Sequence, residues 1–209
     1  MIPYQVGLDL GQSRDFTSVA IVERVEETGA WDAAAFAYRK TTALRLRYLE
    51  RMPLGTTYVE VAARVRELVR SGELHGRCEL AVDATGVGRA VVDLLRAADL
   101  DCQLRAVTVT AGMHETYAKG FYHVPKKNLI VGLQVLLQRG GLQIPAGLAF
   151  HGEFLEEISS MRVKAGSGGH EQYGAWREGE HDDLVFVVAL AYWGAKKGAG
   201  FELYPIGYN

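Results

Sequence analysis

Val6-Gly7-Leu8-Asp9-Leu10-Gly11 decides the reading. Val6, Leu8 and Leu10 alternate with Gly7 and Asp9, so the stretch from Tyr4 to Leu10 reads as a strand with one apolar face. Aspartate is depleted in strands, and a buried carboxylate is costly unless it is paired or bound to a cation. Asp9 therefore asks for a reason. After this strand, Gly11 to Asp15 reads as a polar turn, and Thr17 to Val25 as a β-branched strand. Glu26 to Trp31 reads as a second turn and Ala33 to Leu46 as a third strand. Three strands joined by short turns predict an antiparallel meander.

The period then changes. Helices are expected over Thr57–Val69, Arg89–Ala98, Lys126–Arg139, Phe150–Met161 and Asp182–Lys196, and strands over Glu79–Asp83 and Leu104–Thr110. Strands first and strand–helix alternation afterwards predict an α/β fold. Its mixed sheet has antiparallel first strands, parallel additions and helices on both faces. Residues 1–197 are expected to form one domain. A flexible glycine-rich hairpin is expected at 161–177, and a tail at 198–209.

Composition narrows the class. The chain has 209 residues, 48% hydrophobic and 23% charged, which excludes disordered and coiled-coil classes. A formal net charge of −2 excludes a chain coated in basic residues, so a polyanion must be met by a local patch. Two cysteines are too few for a disulfide scaffold. The longest apolar run, Leu184 to Ala195, is too short to span a bilayer. No basic-then-apolar signal opens the chain. A location inside a cell is the expectation.

Besides Asp9, Asp83 closes the strand Leu80-Ala81-Val82-Asp83 before Ala84-Thr85-Gly86-Val87-Gly88, and Asp182-Asp183 immediately precedes an apolar helix. Each has an ordinary reading taken alone. Asp182 or Asp183 can be an N-cap or first-turn acid, and Asp83 can form an Asx turn. The combination is less ordinary, because each acid falls at an element boundary. If the strands of Asp9 and Asp83 are neighbours, their carboxylates converge at one edge, and the helix start can cap the same edge. Such hard oxygen donors suit Mg2+ or Mn2+. Two such ions about 3.5–4 Å apart hydrolyse phosphodiesters.

The set Gly7-Leu8-Asp9-Leu10-Gly11 … Thr17-Ser18-Val19-Ala20, Val82-Asp83-Ala84-Thr85-Gly86-Val87-Gly88, Pro125-Lys126-Lys127-Asn128-Leu129 … Gly141-Leu142-Gln143-Ile144-Pro145 and His181-Asp182-Asp183-Leu184-Val185 resembles the C-terminal nuclease domain of the large terminase subunit of tailed bacteriophages. The resemblance runs from about residue 4 to 196. It implies a ribonuclease H-like fold and a Mg2+- or Mn2+-dependent endonuclease that cuts double-stranded phage DNA during packaging. By resemblance, Asp9, Asp83, Asp182 and Asp183 are the catalytic metal ligands, with His181 as an accessory. It also implies a packaging ATPase domain, a small terminase subunit and a portal as partners, the bacterial cytoplasm as location, and no membrane. No Gly-x-x-x-x-Gly-Lys-[Ser/Thr] loop occurs, so an excised domain or a stand-alone relative is expected.

Arg39, Lys40, Arg45, Arg47 and Arg51 form a basic stretch broken by Glu50. Arg45 and Arg47, Lys126 and Lys127 at a helix start, and Arg162 and Lys164 on the hairpin are the candidate DNA contacts. The ordinary alternative for each is a solvated face. Two other functions fit parts of the pattern. A Holliday-junction resolvase shares the fold and the metal chemistry. An actin-like ATPase or kinase shares an Asp-x-Gly turn after its first strand, but closes two such domains over its nucleotide. An inert assembly or DNA-binding module with structural acids is the non-enzymatic reading.

Overall fold

The computed structural model describes residues 2–11, 15–86, 88–160, 163–165, 171–173 and 182–198, with 163–165 and 171–173 described by their backbone. Three strands open the chain: β1 (Tyr4–Asp9), β2 (Ser18–Asp32) and β3 (Ala37–Arg51). They pair antiparallel, as the alternation predicts. The expected turn over 26–31 is instead strand, and the reversal lies at 33–36. Asp32 organises it, its Oδ1 accepting from the Ala34 N–H at 3.0 Å and the Ala35 N–H at 3.2 Å. Gly29, which reads as a turn residue, lies inside β2. Trp31 and Tyr38 face each other across the hairpin, rings 5.1 Å apart and edge-on.

Helix α1 (Tyr58–Val69) follows, started by a capping box between Thr57 and Glu60. Then come β4 (Cys78–Asp83), α2 (Gly88–Ala97), β5 (Gln103–Thr110), β6 (Thr116–Ala118), β7 (Phe121–Pro125), α3 (Lys126–Gln138), β8 (Leu142–Gln143) and α4 (His151–Ser160). The last elements are β9 (Val163–Ala165), β10 (Glu171–Tyr173) and α5 (Asp183–Lys197). The main sheet has eight strands in the order β6-β7-β5-β4-β1-β2-β3-β8. Strands β4, β5 and β7 add parallel beyond β1, and β8 adds parallel to β3. Strands β6, β7 and β8 are additions the periodicity does not signal, being short and at the sheet margins. This is the mixed α/β sheet expected from the sequence.

Helices cover both faces. Val6, Leu8 and Leu10 of the β1 segment pack with Val61, Val65 and Val69 of α1 and Val92 and Leu95 of α2. The other face carries α5, buried almost all round because α3 and α4 cover its outer side. Gly7 lets α5 approach. A Cβ there would lie 2.3 Å from the Val187 carbonyl oxygen, so no larger residue fits. Of the expected hairpin, β9 and β10 pair antiparallel. The rest of it, including Arg162, lies outside the described residues, as do His181 and 199–209 of the tail.

Candidate metal centre at one end of the sheet

Register puts the sequence-predicted acids side by side. Leu8 pairs with Val82, so Asp9 and Asp83 end adjacent parallel strands on the same face. On the other side Asp9 pairs with Ser18, and Ser18 with Arg51. Asp83, Asp9, Ser18 and Arg51 therefore form one row across β4, β1, β2 and β3. Paired residues share a face, and this face carries α5, whose first turn supplies Asp183 with Asp182 just before it.

Asp9 is under electrostatic stress. Its carboxyl is held well above the usual aspartate range, first by burial and then by the charges of Asp83, Asp182 and Asp183. Lys126 opposes the shift. Among the described residues nothing hydrogen-bonds the Asp9 carboxylate. Asp83 is raised too, chiefly by burial. It is steadied by the Thr85 N–H at 2.8 Å and by the Thr85 hydroxyl, which itself accepts from the Val109 N–H at 2.7 Å.

The two neighbouring acids are held differently. Asp182 Oδ2 meets Lys126 Nζ at 3.3 Å. Asp183 is buried and receives Arg51 Nε on Oδ2 at 2.8 Å and Arg51 Nη2 on Oδ1 at 2.9 Å. The Ser18 hydroxyl also donates to its Oδ2. Arg51 Nη2 continues to Glu157 Oε1 of α4 at 2.6 Å, and Glu157 Oε2 accepts from the Val185 N–H at 3.0 Å. Burial first, then the charge of Asp183, pushes Glu157 up to about 7, against the pull of the Val185 N–H and Arg51. Sequence reasoning missed Ser18 and Glu157, and it read Arg51 as one member of a basic stretch.

The basic candidates divide. Lys126 belongs to the centre, and its ammonium also lies 5.6 Å from the Phe186 ring centroid. Lys127 follows it at the start of α3. Arg45 and Arg47 do not join them, since they lie up to six residues before Arg51 on β3, about 20 Å for Arg45. Arg45 Nε bonds Gln143 Oε1 at 2.8 Å. Arg47 is the extra residue of a β-bulge and pairs with Glu23 and Glu73 at 3.5 and 3.6 Å. The Lys164 backbone lies in β9.

Among the described residues, no group of three His, Cys, Asp or Glu side chains is closed into a ready-made metal cage. The donor set nevertheless fits a hard divalent cation. Asp9, part-buried, without a hydrogen bond among the described residues and pressed by three other carboxylates, is stabilised by added positive charge, as the opposing pull of Lys126 illustrates.

The profile of the terminase RNaseH-like domain family matches residues 6–193. Solved structures agree on the fold. The large terminase nuclease from thermophilic phage G20c, with bound magnesium, is 24% identical over 91% of this chain and 80% of that one, with a TM-score of 0.62. The nuclease domain of the large terminase subunit gp2 of bacterial virus Sf6 is 11% identical over 91% and 87%, with a TM-score of 0.60. The large terminase nuclease domain of bacteriophage SPP1, with bound manganese, is 10% identical over 92% and 86%, with a TM-score of 0.54. No curated protein sequence is similar enough to count as a match. Sheet order, acid placement and the family profile lead to one assignment: this chain belongs to the terminase RNaseH-like domain family.

Proposed function

We propose that this chain is a divalent-metal-dependent endonuclease that cuts double-stranded phage DNA during genome packaging. The observation that carries the proposal is Asp9, a part-buried carboxylate without a hydrogen bond among the described residues, facing Asp83, Asp182 and Asp183. Structure alone gains nothing from that arrangement, whereas Mg2+ or Mn2+ binding makes use of it. Two ions bound there supply an acidified water and a Lewis-acid hold on the leaving oxygen of the phosphodiester.

The chain's own residues do the rest. Asp9 and Asp83 present oxygens from adjacent strand ends, and the strand pairing fixes their separation before any ligand arrives. Lys126 lies beside Asp182 and can pass to a phosphate when a cation takes over that carboxylate. Lys127, Arg162 and Lys164 are the further candidates for the phosphate track, and His181 for proton transfer. Residues 1–197 act as one nuclease domain carrying the 161–177 hairpin. A packaging ATPase domain, a small terminase subunit and a portal direct it within the bacterial cytoplasm. With a net charge of −2, the chain alone binds DNA weakly and without sequence preference.

The test is cleavage of supercoiled plasmid with Mg2+, Mn2+, Ca2+ or EDTA, beside Asp9→Asn and Asp83→Asn. Nicking or linearisation with Mg2+ or Mn2+, absent in EDTA and in both variants, is expected. A folded protein that cuts with no metal overturns the proposal.

A further inference from the structure

Asp182 and Asp183 reach the centre from the same helix start, and two ordinary structural duties exist there. One is to cap α5, and the other is to balance the buried charge of Arg51. Asp182 performs neither. As the residue before the helix it is the natural N-cap, yet its side chain makes no capping hydrogen bond. Glu157 of α4 does that work from outside, accepting the Val185 N–H at 3.0 Å. The Arg51 charge is met by Asp183, through Nε at 2.8 Å and Nη2 at 2.9 Å, and by Glu157 at 2.6 Å.

Asp183 is thus largely occupied. Both its oxygens accept from Arg51, and Oδ2 accepts from Ser18 as well. Of a carboxylate's roughly four acceptor positions, three are filled. A cation approaching Asp183 must displace a guanidinium or settle beside one, and like charges repel. Asp182 keeps 28% of its side chain exposed, and among the described residues its one ion pair is to Lys126 at 3.3 Å.

We propose that α5 delivers a single metal ligand, Asp182, and that Asp183 is a positioning residue. Arg51, Ser18 and Glu157 hold Asp183 and the first turn of α5 so that Asp182 faces Asp9 and Asp83. This inference rests on the metal-nuclease reading and divides the labour of its two adjacent acids.

The test uses the full chain with Mn2+ alone as probe. Free Mn2+ is followed by electron paramagnetic resonance, and melting is recorded without metal. In Asp182→Asn, Mn2+ affinity falls at least about tenfold while the metal-free melting temperature does not drop. In Asp183→Asn the melting temperature drops, but the folded protein loses clearly less Mn2+ affinity than Asp182→Asn does. At saturating Mn2+ its kcat per folded molecule still falls, a split that loss of folded protein alone does not produce.

Should Asp183→Asn not fold, Arg51→Lys decides. It keeps a cation but not the two-pronged grip. Unchanged or weaker Mn2+ binding supports the inference. Tighter binding means Arg51 was competing with metal for Asp183 and overturns it, as does an Asp183→Asn that loses Mn2+ as badly as Asp182→Asn. If wild type neither binds Mn2+ nor cuts DNA, the nuclease reading itself fails and takes this inference with it. If wild type does both, a failure belongs to the inference alone.

Discussion

Arg51 grips Asp183 with two nitrogens, Nε at 2.8 Å and Nη2 at 2.9 Å, although 132 residues separate them in the chain. The contact ties the end of β3 to the start of α5, and through Glu157 it reaches α4. It puts a fixed positive charge at one end of the row in which Asp9 and Asp83 put negative ones.

Removing that charge is expected to be severe. Arg51→Met leaves Asp183 and Glu157 buried without their shared cation. Breaking a buried pair costs about 3–5 kcal/mol. Urea unfolding of wild type and variant measures it. A loss under about 1 kcal/mol would show that the network carries little of the fold's stability.

Glu157 gives a pH signature. Its carboxyl titrates at about 7 in the fold against an ordinary 4.5. Between those values the folded chain keeps a proton that the unfolded chain has released. Stability from this group therefore falls as pH rises through the window, by on the order of 3 kcal/mol, and is flat above it. Urea unfolding from pH 4.5 to 8 should show that slope, and Glu157→Gln should flatten it. An unchanged slope in the variant would assign the titration to another group.

Gly7 tests the packing of α5 on β1. The added methyl of Gly7→Ala meets the Val187 carbonyl oxygen at 2.3 Å and the Ala191 backbone nitrogen at 3.0 Å. Both are backbone atoms and cannot swing away, so helix and strand must part. Overpacking of this kind costs about 1–3 kcal/mol. Asp9 and Asp183 then lose their relative placement, and metal-dependent cleavage should fall with stability. A variant as stable as wild type would mean that α5 shifts freely.

Asp9→Asn should leave the metal-free protein more stable than wild type above the ordinary aspartate range. The sign follows from the raised carboxyl. In the fold Asp9 resists ionisation, so ionising it as pH rises costs stability, and an amide carries no such cost. A gain of about 1 kcal/mol corresponds to roughly 2–4 °C for a chain of this size. A lower melting temperature at pH 7 without metal would mean that the charge of Asp9 supports the fold.

The sequence made the acids of the site legible better than their supports. Asp9 and Asp83 stand out because an acid in or closing an apolar strand needs explaining, and the Asp182-Asp183 pair because it abuts an apolar helix. The antiparallel opening follows from alternation. The 33–36 turn was hidden because Gly29 resembles a turn residue, whereas Asp32 makes the reversal. Arg51 looked like its neighbours Arg45 and Arg47, and only strand register distinguishes it, through pairing with Ser18. Glu157 is one of several acids on an amphipathic helix, and nothing in its local sequence singles it out. Its role depends on α4 lying across the start of α5, which no local pattern encodes.

If these carboxylates are gathered for a cation, Mn2+ stabilises the fold through Asp9, and the melting temperature of wild type and Asp9→Asn at pH 7 against Mn2+ concentration tests this. Wild type should rise and follow a saturation curve, gaining about 2.7 kcal/mol at a hundredfold excess over Kd, while Asp9→Asn stays nearly flat. Parallel curves for the two proteins, or no rise in wild type, would mean that Asp9 holds no cation.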